Sequence, residues 1–308
     1  MIFPDAFPIS IQTFLRNVYG EPVAVALLAG KSGAAVFRCT FTFATVILKA
    51  TVMRWEGEFS AEAAFYQRAA PHVRAARVPI PDCYRIIDEA PEVWLVLENM
   101  PELLPRSRWT APDDERLEAL ARLHTIPLTA IPRWKPIYQP GWSAEMTDQA
   151  LSHFGPAARS ELAPQLETVR LACQPTFIPE SWISADPNPR NWGIRESGDL
   201  ALFDWERFTS ASPAIDVAIQ IGGMGDRSLF RQHADADCRV RERLGIPYPI
   251  SADQLSHAVM LAKVWSVIEY LSSFVRSGAP PDSVVDQLRG SSNGSLSEWL
   301  KSLHLSEV

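Results

Sequence analysis

Ser184-Ala185-Asp186-Pro187-Asn188-Pro189-Arg190-Asn191, followed by Leu202-Phe203-Asp204-Trp205-Glu206, is the stretch from which the fold of this chain is read. It holds an Asp, an Asn five positions on, and a second Asp at the end of an apolar run. Transfer of a phosphoryl group from a nucleotide requires such a set. One carboxylate takes the proton of the attacking hydroxyl, while an amide oxygen and a second carboxylate hold Mg²⁺ against the phosphates. Oxygen donors suit Mg²⁺ because it is a hard cation. Taken singly, Asp and Asn beside Pro are ordinary turn formers. The ordered set, with an apolar strand ahead of the last Asp, turns the reading towards chemistry. The implied layout is a short loop carrying Asp186 and Asn191, then a hairpin (192–194, a turn at 196–199, 200–203) that delivers Asp204 beside them.

Outward from this stretch the chain changes character near residue 105. The first hundred residues read as strands plus one helix: a strand at 23–28, a turn at 30–33, strands at 35–43 and 45–50, and a hairpin built on 86–87 and 93–97. The run at 45–50 is rich in β-branched residues. Phe59, Ala63 and Tyr66 recur at helical spacing over 59–69. Beyond Pro105 the pattern is helical. Asp113 and Asp114 open a helix whose Leu117, Leu120, Ala121 and His124 fall at i, i+3, i+4 and i+7. Helices are expected over 144–172, 213–243 with breaks, 252–276 and 281–303, and an ordered Pro- and Trp-rich loop over 125–143. The expected domains are 1–102 and 103–308.

Lys49 interrupts the apolar run Val46-Ile47-Leu48-Lys49-Ala50, so it needs either solvent or a partner. Glu62 lies thirteen residues on, in the helix, although Glu56 and Glu58 are also near. Gly30-Lys31-Ser32-Gly33 stands between two strands, where small residues let backbone N–H groups approach phosphate oxygens. It is not a Walker A loop, because position 25 is Val and a strand, not a helix, follows.

Net charge is -7 over 308 residues, with no Lys/Arg run, so no nucleic-acid footprint is present. Cys39, Cys83, Cys173 and Cys238 form no C-x-x-C pair, which argues against a zinc or redox motif and suits a reducing compartment. No apolar run reaches membrane-spanning length, and residues 1–10 lack the basic and apolar regions of a leader. A cytoplasmic protein with neither nucleic acid nor membrane as partner is expected. No Ser-His-Asp triad, glycosidase carboxylate pair or dinucleotide fingerprint competes.

The Asp186-to-Asn191 spacing and the later Asp204-Trp205-Glu206 resemble the catalytic loop of the aminoglycoside phosphotransferase and choline kinase superfamily. These are small-molecule kinases of protein-kinase-like fold. The resemblance covers most of the chain and is weakest over 125–175 and after 245. It implies an α+β, two-lobed molecule with an N-terminal antiparallel sheet plus helix and a mainly helical C-terminal lobe. It implies ATP or GTP as donor, Mg²⁺ as cofactor, and a small hydroxyl compound, cationic or neutral, as acceptor. Asp186 becomes the catalytic base, and Asn191 and Asp204 the metal ligands. Lys49 paired with Glu62 positions the phosphates, Gly30, Ser32 and Gly33 cover them, and Glu98 with Met100 falls at the adenine-binding hinge. Asp216 caps a helix and braces the loop, and His124 is structural. Trp205, Glu206, Trp265 and Glu269 are acceptor candidates, since an aromatic with a carboxylate can hold a cationic amine. Trp142, Trp192 and Tyr270 join them, while core packing accounts equally well for Trp265. The family carries His where this chain has Ser184. That exchange, with the Asp-Pro-Asn-Pro loop, motivates an alternative: a catalytically weak pseudokinase that binds nucleotide or a partner.

Overall fold

A computed structural model of the chain describes residues 4, 7–28, 35–52, 61–89, 92–134, 137–246, 250–277 and 296–303. The expected phosphate loop, with Gly30, Ser32 and Gly33, lies outside the described residues, as do Glu56, Glu58 and most of 281–303.

The chain opens with α1 (Ile9–Tyr19), β1 (Ala24–Leu28), β2 (Ala35–Thr40) and β3 (Thr45–Val52). A continuous rod follows: α2 (Ala61–Ala64), a π-helical turn (Phe65–Ala69) and α3 (Ala70–Ala75). Next come β4 (Cys83–Glu89), β5 (Glu92–Glu98), β6 (Glu102–Leu103), α4 (Asp114–Leu123), α5 (Ala144–Leu151) and α6 (Pro156–Cys173). The remainder holds β7 (Ser181–Ile183), β8 (Trp192–Ile194), β9 (Leu200–Leu202), β10 (Thr209–Ala211), α7 (Ala214–Ile219), α8 (Arg227–Leu244), α9 (Ala252–Ser277) and α10 (Leu296–Ser302). It is a mixed fold with an antiparallel sheet at the N-terminal end and helices after it.

Two compact units are present. The first comprises Met1–Leu104, Thr129–Tyr138 and Arg190–Phe208; the second comprises Pro105–Leu128, Gln139–Pro189 and Thr209–Val308. The hairpin that carries Asp204 thus belongs to the unit of the N-terminal sheet.

In the first unit the sheet runs β1-β2-β3-β5-β4, every pair antiparallel. Side chains alternate between the two faces of a strand. Val46, Leu48 and Ala50 therefore share one face with Phe37, Cys39, Trp94 and Val96, and that face packs on Phe7, Ile11 and Leu15 of the N-terminal segment. The same alternation sends Lys49 to the opposite face. The first hundred residues were expected to hold one helix, and α1 is a second. Its Ile11 and Leu15, one turn apart, are fully buried, and Gly20 ends it at a φ of 84°, a conformation glycine adopts without strain. A second sheet, β6-β8-β9, joins the segment after β5 to the hairpin.

In the second unit α9 is the central element: residues 259–265 are all buried, so the helix is enclosed on every side over this stretch. No helix among the described residues is long and apolar enough to cross a membrane. Helix α4 begins where the acidic start placed it, with Asp113 as N-cap accepting from Arg116 N at 3.3 Å. The expected helix over 144–172 is broken into α5 and α6 at Gly155-Pro156, where Gly155 is extended and the proline opens α6.

One buried cation in this unit has a pH consequence. Lys263 on α9 donates to Ile221 O at 2.7 Å and Ala218 O at 3.3 Å, at the C-terminal end of α7. Burial pushes its ammonium down to about 7, while the two carbonyls and the helix end favour the charge. An unfolded lysine stays protonated up to about pH 10. Between these values the unfolded chain binds the extra proton, so stability rises with pH, by at most about 1.4 kcal/mol per pH unit. Urea unfolding at stepped pH should show this slope in wild type and lose it in Lys263→Met. An unchanged slope in the variant would assign it to other groups.

Candidate active site

The first unit gathers three carboxylates around one ammonium. Lys49 lies on β3, between Val36 of β2 and Leu95 of β5. Its Nζ is 2.6 Å from Glu62 Oε2, 2.7 Å from Asp204 Oδ1 and 3.0 Å from Glu206 Oε1. Lys49 and Glu62 are buried, and Asp204 and Glu206 are partly open. Burial alone would lower the Lys49 ammonium, but Glu62, Asp204 and Glu206 override it and hold it well above its usual value. Burial drives Glu62 upward, Asp204 and Glu206 add to that, and Lys49 pulls the other way without prevailing. Single ligand oxygens of Glu62, Asp204 and Glu206 all lie within 4.8 Å of one another, a set that suits a divalent cation.

The helix rod positions this cluster by spacing. Glu62 and Phe65 are three residues apart and share a face. Glu62 Oε1 accepts from Trp205 N at 3.4 Å, and the Phe65 ring stacks on Trp205 with centroids 4.4 Å apart. The Trp205 indole N–H donates to Leu202 O at 2.8 Å. Between these anchors Asp204 has a φ of 66°. This left-handed conformation is costly for a residue with a Cβ and gathers at functional sites. Phe203 N donates to Asn191 O at 2.9 Å, so the backbone ties Asn191 to the residue preceding Asp204.

The segment after β5 is braced by the same hairpin. The Glu98 carboxylate takes Arg195 Nε at 2.8 Å and Nη2 at 3.1 Å, and also accepts from Asp82 N at 3.0 Å. Its side chain is thereby a staple, and its backbone N–H donates to Asp82 O at 2.8 Å. Met100 is buried over Gly193 of β8: a Cβ on Gly193 would lie 2.4 Å from Met100 Cγ and 2.5 Å from its Cβ. Gly193→Ala should therefore displace Met100 at a cost of about 1–3 kcal/mol. Chemical denaturation measures this, and a cost within error of zero would mean that the segment yields freely.

The loop with Asp186 belongs to the second unit. It follows β7, which pairs with β10. Asp216 on α7 accepts from Ser184 N at 3.0 Å and Ala185 N at 2.8 Å, and Ala185 is left-handed with a φ of 58°. Ser184 Oγ accepts from Asp186 N at 3.4 Å. His124 Nε2 lies 2.9 Å from Asp216 Oδ2.

The acceptor candidates fare differently. Trp205 and Trp265 are fully buried. Trp265 gives its indole N–H to Gly141 O at 3.0 Å and meets Phe177 edge-on at 5.3 Å. Both rings are packing surfaces and neither is open to an acceptor, which corrects the expectation for them. Trp142 and Trp192 are buried as well. Glu206 is held by Lys49. Glu269 is half-buried and Tyr270 exposed on α9. Sequence reasoning missed Glu206 as a partner of Lys49, because the left-handed backbone at Asp204 breaks the strand pattern there. It also missed the contact of Arg207 with Tyr138, whose ring lies under the guanidinium at 4.2 Å.

The model of the phosphotransferase enzyme family matches residues 28–245. The chain belongs to that family, and it is a phosphotransferase acting on hydroxyl groups. No curated protein matches it. Among solved structures it is similar to choline kinase LicA from Streptococcus pneumoniae, with a TM-score of 0.58, 15% identity and coverage of 97% of this chain and 98% of that one. It is also similar to a thermostable mutant of aminoglycoside phosphotransferase APH(4)-Ia in complex with AMP-PNP and hygromycin B (TM-score 0.53, 16% identity, coverage 89% and 100%). A third is aminoglycoside phosphotransferase APH(3'')-Id from Streptomyces rimosus (TM-score 0.50, 19% identity, coverage 84% and 97%). At these identities the likeness establishes a shared, protein-kinase-like fold.

Proposed function

We propose that the protein transfers the γ-phosphoryl group of ATP or GTP to a hydroxyl of a small molecule, with Mg²⁺ as cofactor. The observation that carries this reading is the contact of Lys49 Nζ with Glu62 at 2.6 Å and Asp204 at 2.7 Å. A cation aimed by a buried carboxylate serves donor phosphates, and a carboxylate beside it serves their metal. Asp204 and Asn191 are the metal ligands in this reading, with Glu206 joining them in place of an acceptor role. The residues present fit a hard divalent cation, because they offer oxygen donors only. The cation's contribution is to neutralise charge developing on the transferring phosphoryl group. Lys49 orients the donor, the backbone at Glu98 and Met100 receives the base, and residues 30–33 cover the phosphates. Asp186 takes the proton of the acceptor hydroxyl.

In this reading residues 1–102 supply nucleotide binding, and 103–308 the catalytic loop and the acceptor site. Likeness to a choline kinase and to a hygromycin-bound aminoglycoside phosphotransferase supports an acceptor of that general kind. The net charge of -7 favours a cationic one, with Glu269 and Tyr270 as candidate contacts. Isolated cysteines accord with a cytoplasmic setting.

Thermal unfolding with and without MgATP and MgGTP tests the donor site. A ligand bound only by the folded state adds about 2.7 kcal/mol at 100 times its Kd. A Mg²⁺-dependent shift in wild type that Asp204→Ala loses is expected. Absence of a shift with both nucleotides would overturn the reading and leave a non-catalytic member of the fold.

A further inference from the structure

Buried polar side chains of the second unit form one continuous run of hydrogen bonds that ends on the loop before Asp186. It starts on α8, where Arg241 Nε donates to Asp237 Oδ2 at 2.7 Å. Arg241 Nη2 lies 2.6 Å from Nδ1 of His124, the residue that caps the C-terminus of α4. His124 Nε2 lies 2.9 Å from Asp216 Oδ2. Asp216 then accepts from the backbone of Ser184 and Ala185, at 3.0 and 2.8 Å. The four side chains are nearly sealed from water: Asp237 and Asp216 are 0% exposed, His124 1% and Arg241 4%.

The chemistry of these groups sets the direction of every bond. A guanidinium only donates, so Nδ1 of His124 must accept from Arg241. The ring proton then sits on Nε2, which donates to Asp216. Asp216 is therefore held from one side by the imidazole and presents its two oxygens to two backbone N–H groups. One of these belongs to Ala185, whose left-handed conformation an L-residue keeps only where its surroundings impose it. Ala185 directly precedes Asp186.

We propose that His124 and Arg241 are positioning residues for Asp186. The run Asp237–Arg241–His124–Asp216 holds Ala185 left-handed and thereby sets the backbone from which the Asp186 carboxylate projects. His124 touches no reacting atom; it acts through Asp216. This inference rests on the role given to Asp186 under the proposed function, but its geometric part can be tested apart from catalysis.

Amide hydrogen exchange at Ser184 and Ala185, followed by NMR on the full chain, is the decisive measurement. His124→Ala and Arg241→Ala should each lower protection of these two amides by about tenfold or more, the equivalent of losing one hydrogen bond to a charged group. His124→Gln should restore it, because a Gln amide offers one donor and one acceptor. Leu166→Ala, a buried truncation on α6 away from the run, controls for general loss of stability and should leave the two amides no worse than the rest of the unit. In parallel, ADP release from MgATP should show kcat lowered by about tenfold or more in His124→Ala with nucleotide KM unchanged, and recovered in His124→Gln. Loss of protection no larger than in Leu166→Ala, or no rescue by Gln, would overturn the proposal. Selective loss of protection without any ADP release by wild type would support the relay and overturn the role of Asp186.

Discussion

Asp186→Asn should lower kcat for phosphoryl transfer by about 10²–10⁴-fold, the span that positioned general bases contribute, while nucleotide KM stays within a factor of about two. The substitution keeps shape and removes the capacity to take a proton. The loop should survive it, since an amide keeps the shape of the carboxylate and the backbone has holds of its own: Asp216 accepts from the amides of Ser184 and Ala185, and Ser184 Oγ accepts from the Asp186 amide. Steady-state kinetics with any active acceptor measures the effect, and the MgATP thermal shift checks that the donor still binds. A variant that keeps full turnover would remove Asp186 from the chemistry. A variant that loses the thermal shift would make it a donor-binding group instead.

Lys49→Met should be the most destabilising single change in the first unit, at about 3–5 kcal/mol, the cost of leaving a buried charge without its partner. Met fits the stem of Lys and keeps the packing; only the ammonium is lost. Three carboxylates then face one another, with Glu62 the most deeply buried. Burial and its two acidic neighbours already raise Glu62, and removing Lys49 takes away the one influence that lowers it. A group whose folded pKa is raised costs stability as pH climbs through that value and recovers it below. The deficit of Lys49→Met relative to wild type should therefore shrink as pH falls from 8 to 5, in urea titrations over about that range. Added Mg²⁺ should restore the variant more than wild type, because the cluster can then neutralise itself with the metal. Equal deficits at both ends of the pH range would show that the three carboxylates are not electrostatically linked.

The parts of this molecule that were legible in its sequence are those whose signal is local. Asp186, Asn191 and Asp204 fall within one loop and hairpin, and the hairpin's turn formers and apolar runs match β8 and β9. Lys49 declared itself by interrupting an apolar strand, while Glu62 was preferred to Glu56 and Glu58 through the resemblance to the family's strand-Lys and helix-Glu pair. What escaped was set by long-range packing. Helix α1 was missed because Pro4 and Pro8 precede it and Ile9 and Ile11 alternate as in a strand; only burial of Ile11 and Leu15 against the sheet makes the helix favourable. Trp205 and Trp265 carry the same letters whether they face solvent or core, and the stack on Phe65 decides the first. Arg241 and His124 are 117 positions apart, with no shared periodicity to connect them. Glu206 was turned from acceptor to Lys49 partner by the left-handed backbone at Asp204, which no strand pattern announces.

The π-helical turn at Phe65–Ala69 has a consequence for insertions and deletions. A wide turn carries one residue more than the regular helix on either side of it. It therefore works as a phase adjuster: Glu62 upstream and Val73 downstream each meet their own surface, Glu62 the ammonium of Lys49 and Val73 the apolar interior. Deleting a single residue from this turn would leave a good helix by propensity and by hydrogen bonding, yet rotate its two halves against each other by about 100°. The fold would keep its helix and lose the agreement between the helix's chemical end and its structural end.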